Sequence, residues 1–316
     1  MKTTLAALVV LVALLSAVFV FGPRGNGAVA EALTSPTTPT LPIFQSGEAH
    51  ILAVGDMMFD RSIRTTTQAN GGNYLFSCID PLLKQADFAI GNLEGPITEN
   101  ISISEGSTPG SYDNYFFTFP TTTAQLLANH GFRAVGIGNN HILNFGYAGL
   151  ISTQEYLSQA GVGYFGGVKA NEGVFETEVN GVPLAFVGYN EFGGGSVADV
   201  VNTIKKEHDA GRVVIVYSHW GDEYVDASPR LRPVAELFAQ AGASAVIGMH
   251  PHVVLGHEYI GSTLVYYSLG NFIFDQYWSD DVDHGMTLML DIKKDGTVTA
   301  VEHPVVLKSD RTVCPQ

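Results

Sequence analysis

The sequence predicts an α/β domain in which two sheets pack face to face with helices outside. Two observations point there. Short apolar runs alternate with helical patterns from about Ala49 to Ile247, and beyond Ile247 the helical patterns cease and only strand-like runs follow.

In chain order, His50–Val54 reads as a strand, Thr121–Asn129 as a helix ending at Gly131, and Arg133–Ile137 as a strand whose β-branched residues suit a pleat. Ala148–Gln159 is a helix stopped by Gly161, where a left-handed turn costs least. Val182–Gly188 is a strand, Val197–Asp209 a helix, Arg212–Tyr217 a strand, Pro229–Gln240 a helix stopped by Gly242, and Ala245–Ile247 a strand. His257–Ile260, Leu264–Leu269, Gly285–Ile292 and Val298–Leu307 follow as strands, with Asp295-Gly296 as a hairpin turn.

Ahead of this domain stand Lys2 and an apolar run from Leu5 to Phe21, broken only by Ser16. A charged start, an apolar middle and Ala28-Val29-Ala30 fit a cleaved export signal, while the length of the run favours an uncleaved membrane anchor. Residues 31–48 are rich in Thr, Pro and Ser and read as a linker. The expected organisation is a signal or anchor over 1–30, the linker, one domain over 49–308, and a tail over 309–316.

With 31 acidic against 16 basic residues, a net charge of −15 repels phosphate backbones, so nucleic acid is not an expected partner. Cys78 and Cys314 are the only cysteines, too few for a thiolate metal site, and an exported location permits one bridge without indicating that these two meet.

Five strand ends carry possible metal ligands: Asp56 after Ile51–Gly55, Glu94 in Asn92-Leu93-Glu94, Asn140 and His141 after Ala134–Gly138, His219 after Val213–Ser218, and His250 with His252 after Val246–Met249. Singly, each has a dull explanation as a cap, a surface charge or a core histidine. Together they would converge on one rim of a sheet, where open α/β folds hold their ligands. Two carboxylates, an amide oxygen and several imidazoles form a mixed O/N set that suits Mn, Fe or Zn. One or two such ions, a pair lying about 3.5–4 Å apart, can activate a water and clamp an anionic oxygen, which implies hydrolysis. A lysine-bearing P-loop and a nucleophile elbow are both missing from the sequence.

The motifs Gly55-Asp56-Met57-Met58-Phe59-Asp60-Arg61, Asn92-Leu93-Glu94-Gly95-Pro96, Asn139-Asn140-His141, His219-Trp220-Gly221-Asp222-Glu223-Tyr224, His250-Pro251-His252 and Tyr267-Ser268-Leu269-Gly270-Asn271-Phe272 resemble the bacterial capsule-synthesis CapA family. The resemblance covers Ala49 to Asp291. It implies a four-layer α/β/β/α sandwich of the calcineurin-like metallophosphoesterase type and a part in poly-γ-glutamate capsule or other envelope-polymer production. It further implies Asp56 on one metal, Glu94 as the bridge, Asn140, His219 and His250 on the second metal, and His252 on the first. His141 would be the general acid or would orient the leaving oxygen. Arg61 would bind a substrate carboxylate or phosphate, with a structural ion pair as the equal alternative.

Two departures from the phosphoesterase pattern stand out: Met58 where it has a histidine, and Asn144 where many relatives carry an aspartate three residues after His141. The expected protein is therefore an extracytoplasmic, membrane-anchored or secreted metal-dependent hydrolase or transferase. Its substrate would be an acidic polymer or phosphate ester, with membrane synthase subunits as further partners. The rival is a non-catalytic component that binds a polymer or a synthase, which Met58 favours and the retained histidines oppose.

Overall fold

The computed structural model describes residues 47–169 and 172–316. The proposed signal or anchor and nearly all of the linker lie outside them. Among the described residues no helix is long and apolar enough to cross a membrane.

The chain runs β1 (Glu48–Met57), α1 (Arg61–Asn70), the single turns α2 (Asn73–Phe76) and α3 (Asp80–Leu83), β2 (Phe88–Leu93), α4 (Thr123–Asn129), β3 (Phe132–Gly136), α5 (Gly146–Gln159) and β4 (Gly163–Phe165). It continues through β5 (Val174–Val179), β6 (Val182–Asn190), α6 (Val197–Asp209), β7 (Val213–His219), α7 (Ser228–Gln240) and β8 (Ala243–Met249). The remainder is β9 (Val254–Ile260), β10 (Thr263–Leu269), β11 (Asn271–Ile273), α8 (Asp280–Asp283), β12 (His284–Lys293), β13 (Val298–Leu307) and β14 (Val313–Pro315).

These strands make two sheets, as expected. The eight-stranded sheet has the order β14-β13-β12-β1-β2-β3-β4 with β11 added beside β1, and the six-stranded sheet has the order β5-β6-β7-β8-β10-β9. β1 to β4 are parallel to one another, as are β6, β7, β8 and β10, so both sheets aim their strand carboxyl ends at helix-bearing connections.

Alternation along each strand explains the layering, because successive side chains leave a strand on opposite faces. In β1, Ile51 and Ala53 enter an apolar layer shared with Leu184, Phe186, Ile215 and Ile247 of the second sheet. Leu52 and Val54 enter a second layer with Ile63, Phe76, Leu127 and Leu150 from the helices. In β7, Ile215 and Tyr217 face the first sheet, while Val214 and Val216 pack on Val200 and Ile204 of α6 and Leu231 and Phe238 of α7. Both faces of the central strands are thus covered, which is why they read as unbroken apolar runs.

The expected tail over 309–316 is corrected. Residues 313–315 form β14, paired antiparallel to β13, and Cys314 is bonded to Cys78 with a Cα–Cα distance of 5.0 Å. The bridge ties the α2–α3 segment to the sheet edge across 236 residues of chain, a loop length at which a disulfide contributes up to about 5 kcal/mol.

Candidate metal centre

The strand ends converge, although on a rim shared by both sheets and not on that of a single sheet. The first sheet supplies Asp56 from β1, Glu94 just after β2, and Asn140 and His141 after β3; the second supplies His219 from β7 and His250 and His252 after β8. Close backbone approach makes this possible. A Cβ on Gly55 would lie 2.0 Å from the Gly270 carbonyl oxygen, and one on Gly248 2.0 Å from that of Tyr267.

Asp56 is fully buried and accepts from Asn92 Nδ2 at 2.8 Å and from the His250 N–H at 3.0 Å. Glu94 is fully buried too, yet neither of its carboxylate oxygens has a hydrogen-bond partner. Its Oε1 stands 3.6 Å from His252 Nε2, 3.9 Å from His219 Nε2 and 4.0 Å from His141 Nε2. Asn140 Oδ1 meets His219 Nε2 at 2.9 Å. His250 packs on Phe192 and His219 with ring centroids 4.3 and 4.7 Å away, and its buried Nδ1 has no partner.

Neighbouring amides hold the rings in place. Asn271 donates its amide nitrogen to the Val282 carbonyl and turns its oxygen to His252 Nδ1 at 2.9 Å, so Nδ1 carries the proton and Nε2 presents a lone pair towards Glu94. Asn144 acts likewise: its oxygen accepts from the Phe117 N–H at 2.8 Å and faces His141 Nδ1 at 3.1 Å. The tautomer inferred from this pairing leaves His141 Nε2 bare. Backbone strain marks the same place, since His250 and His252 sit at φ of 95° and 57°, a region that costs non-glycine residues on the order of 1–3 kcal/mol each.

Burial dominates the electrostatics. It pushes the Asp56 carboxyl up to about 7, and it raises Glu94 well above the usual carboxylate range with help from the charges of Asp56 and Glu223 and against that of Arg61. It pulls His219 and His252 well below the ordinary imidazole value, and His141 and His250 down to about 4. Near neutral pH the rings are neutral lone-pair donors facing carboxyls that resist ionising, an environment a cation would stabilise. Asp56, Glu94 and His252 can converge on one ion, as can Glu94, His219 and His250, with the ligand atoms of each set within 4.8 Å of one another. The residues therefore fit a metal, and Glu94, common to both sets, fits a bridge.

A pH dependence follows. Below about pH 7 an incoming ion must displace the protons of Asp56 and Glu94, whereas the imidazoles are already unprotonated. Metal affinity is expected to rise with pH between about 6 and 8, by up to about tenfold per pH unit for each proton displaced. Chelator competition at several pH values measures this, and a flat profile would contradict the assignment.

Arg61 takes part in the ion pair named as the alternative to substrate binding. Its Nη2 meets Asp275 Oδ1 at 2.5 Å, its Nη1 donates to Asn114 Oδ1 at 3.2 Å, and its guanidinium lies over Phe117 and Phe274. The ion-pair alternative is the arrangement observed. Arg61 nevertheless lines a cavity of about 490 Å³ with Ser62, Asn114 and Trp278. Met58 is fully buried in the helix-side core and its sulfur accepts the Asp60 N–H, so it offers the cluster nothing. Sequence reasoning passed over Glu223, which lies with His250 and His252 in a third set of possible ligands. It also passed over the amides of Asn92, Asn139 and Asn271, although Asn92 lies only two residues before Glu94.

Fold and site together define an α/β protein of two stacked sheets with a buried carboxylate–histidine cluster that could hold a metal where their strand ends meet. The chain matches the family described as bacterial capsule synthesis protein PGA_cap over residues 50–276, and it belongs to that family. It is 28% identical over 280 residues to the PGA biosynthesis protein CapA of Bacillus subtilis (strain 168), a match covering 82% of this chain and 72% of that protein. It is also 28% identical over 255 residues to the capsule biosynthesis protein CapA of Bacillus anthracis, covering 74% of this chain and 61% of the relative. Among solved structures, TT1561 of Thermus thermophilus is similar with a TM-score of 0.46 and 12% identity, over 80% of this chain and 98% of that one.

Proposed function

We propose that this protein is a metal-dependent hydrolase or transferase acting in the production of capsule, poly-γ-glutamate or another envelope polymer. The observation that carries the reading is Glu94, a fully buried carboxylate whose two oxygens lack partners and whose Oε1 lies within 4.0 Å of three imidazoles. Buried polar groups are nearly always satisfied, and an orphaned pair among lone-pair donors is best explained by a cation. The names of the Bacillus relatives support the biological setting. The Cys78–Cys314 bridge supports export, since disulfides persist in oxidising compartments. The amino-terminal apolar run would supply the anchor or signal.

A bound divalent ion would acidify a water and draw charge off an anionic oxygen. Asp56, Glu94, Asn140, His219, His250 and His252 would hold one or two Mn, Fe or Zn ions. The bare Nε2 of His141 would accept a proton from the attacking water and return it to the leaving oxygen, while Asn144 keeps the ring in register. An acidic polymer or a phosphate ester suits such a centre, and synthase subunits in the membrane are the proposed partners. The core position of Met58 favours a second reading, a polymer- or synthase-binding component without turnover.

The full-length chain supplied with Mn, Fe or Zn is expected to cleave an activated phosphate ester or a γ-glutamyl peptide. Metal binding without turnover on either class would leave the binding component as the better account.

A further inference from the structure

We propose that Glu223, on the loop between β7 and α7, is a further metal ligand beside His250 and His252. The inference rests on the metal-centre reading given above and goes beyond it in assigning a residue outside the strand ends.

The loop is pinned over the ligand turn at both ends. Trp220 N–H donates to the Met249 carbonyl at 3.2 Å, and Tyr224 N–H donates to the Pro251 carbonyl at 2.8 Å, so residues 221–223 are held against the segment that carries His250 and His252. Tyr224 takes a left-handed φ of 62°, as His252 does at 57°, and Gln276 Nε2 fixes its hydroxyl at 3.0 Å. Strain at Tyr224 in so constrained a loop serves to fix where Glu223 stands.

Within that frame, one carboxylate oxygen of Glu223 and one ring nitrogen each of His250 and His252 lie within 4.8 Å of one another. His250 belongs also to the set with Glu94 and His219, and His252 to the set with Asp56 and Glu94, so Glu223 adjoins both positions. A second observation points to a ligand: His250 Nδ1 and both oxygens of Glu94 are buried without partners. Neighbouring Asp222 differs, with Arg230 Nη2 3.6 Å from its carboxylate, whereas the carboxylate of Glu223 accepts from the Tyr224 hydroxyl. Glu223 with His250 and His252 gives an O/N set of the kind Zn and Mn accept, sharing His252 with the Asp56–Glu94 set and His250 with the Glu94–His219 set.

The test measures Mn and Zn stoichiometry and dissociation constants on the full-length chain and on Glu223→Gln, Glu223→Ala and Asp222→Asn. Thermal unfolding is recorded with and without metal. Both Glu223 variants are expected to bind at least about tenfold more weakly, since removing a residue that merely orients a ligand already costs about 10–100-fold. They should keep the metal-free melting temperature and lose most of the rise that metal gives the parent, whereas Asp222→Asn should match the parent. Parental stoichiometry and affinity in either folded Glu223 variant would overturn the assignment while leaving the metal centre standing. A parent that binds neither ion would overturn both.

Discussion

Replacing His219 by alanine is expected to empty the centre and abolish turnover together. His219 is the last residue of β7, buried at 2% exposure, and its Nε2 points between Asn140 Oδ1 and Glu94 Oε1. Its loss removes one of three groups in the Glu94–His219–His250 set and leaves the Asn140 oxygen and the Asn92 amide facing a void. The metal-free variant should lose about 1–3 kcal/mol of stability, as expected when buried partners go unsatisfied. Metal content and melting temperature, measured on the same preparation as activity, separate this from global unfolding. Retention of parental metal content would show that His219 is a core residue and not a ligand.

His141→Ala is expected to behave differently, keeping its metal while turnover falls about 10²–10⁴-fold, the usual cost of losing a proton-transfer group. Its ring lies tilted with its centroid 4.3 Å from that of Phe117 and is held at Nδ1 by Asn144, and its Nε2 stands 4.0 Å from Glu94, the longest of the three imidazole approaches. Burial lowers the ring's pKa to about 4, so in the proposed reaction it would start neutral, take the proton of the attacking water and return it to the leaving oxygen. Metal loss in His141→Ala would make it a ligand and move the proton-transfer role elsewhere.

The contrast between the two histidines shows how far the sequence could be read. Both end apolar runs, so periodicity found both, but only the fold reveals that one comes from each sheet. Runs such as Arg212–Tyr217 and Ala245–Ile247 were legible because both faces of these strands are buried, and their polar ends stood out as candidate ligands; the strand boundary did not, since β7 extends through Ser218 and His219. The tail was misread because 309–316 has too few residues to show alternation, and β14 is specified by its pairing with β13 and by Cys314. Arg61 could not be resolved from sequence, since its partner Asp275 lies 214 residues away (275 − 61). Glu223 was hidden for a related reason. It ends no strand, and only the backbone bonds of Trp220 and Tyr224 bring it to the histidines.

The central claim, that the orphaned carboxylate of Glu94 and the imidazoles around it hold a transition metal, is tested most directly by elemental analysis of the full-length chain. The protein is purified without chelator and assayed before and after loading with Mn or Zn. About one to two equivalents per chain, removable by chelation and restored by either ion, is the result the account predicts. Less than about a tenth of an equivalent after loading would contradict it.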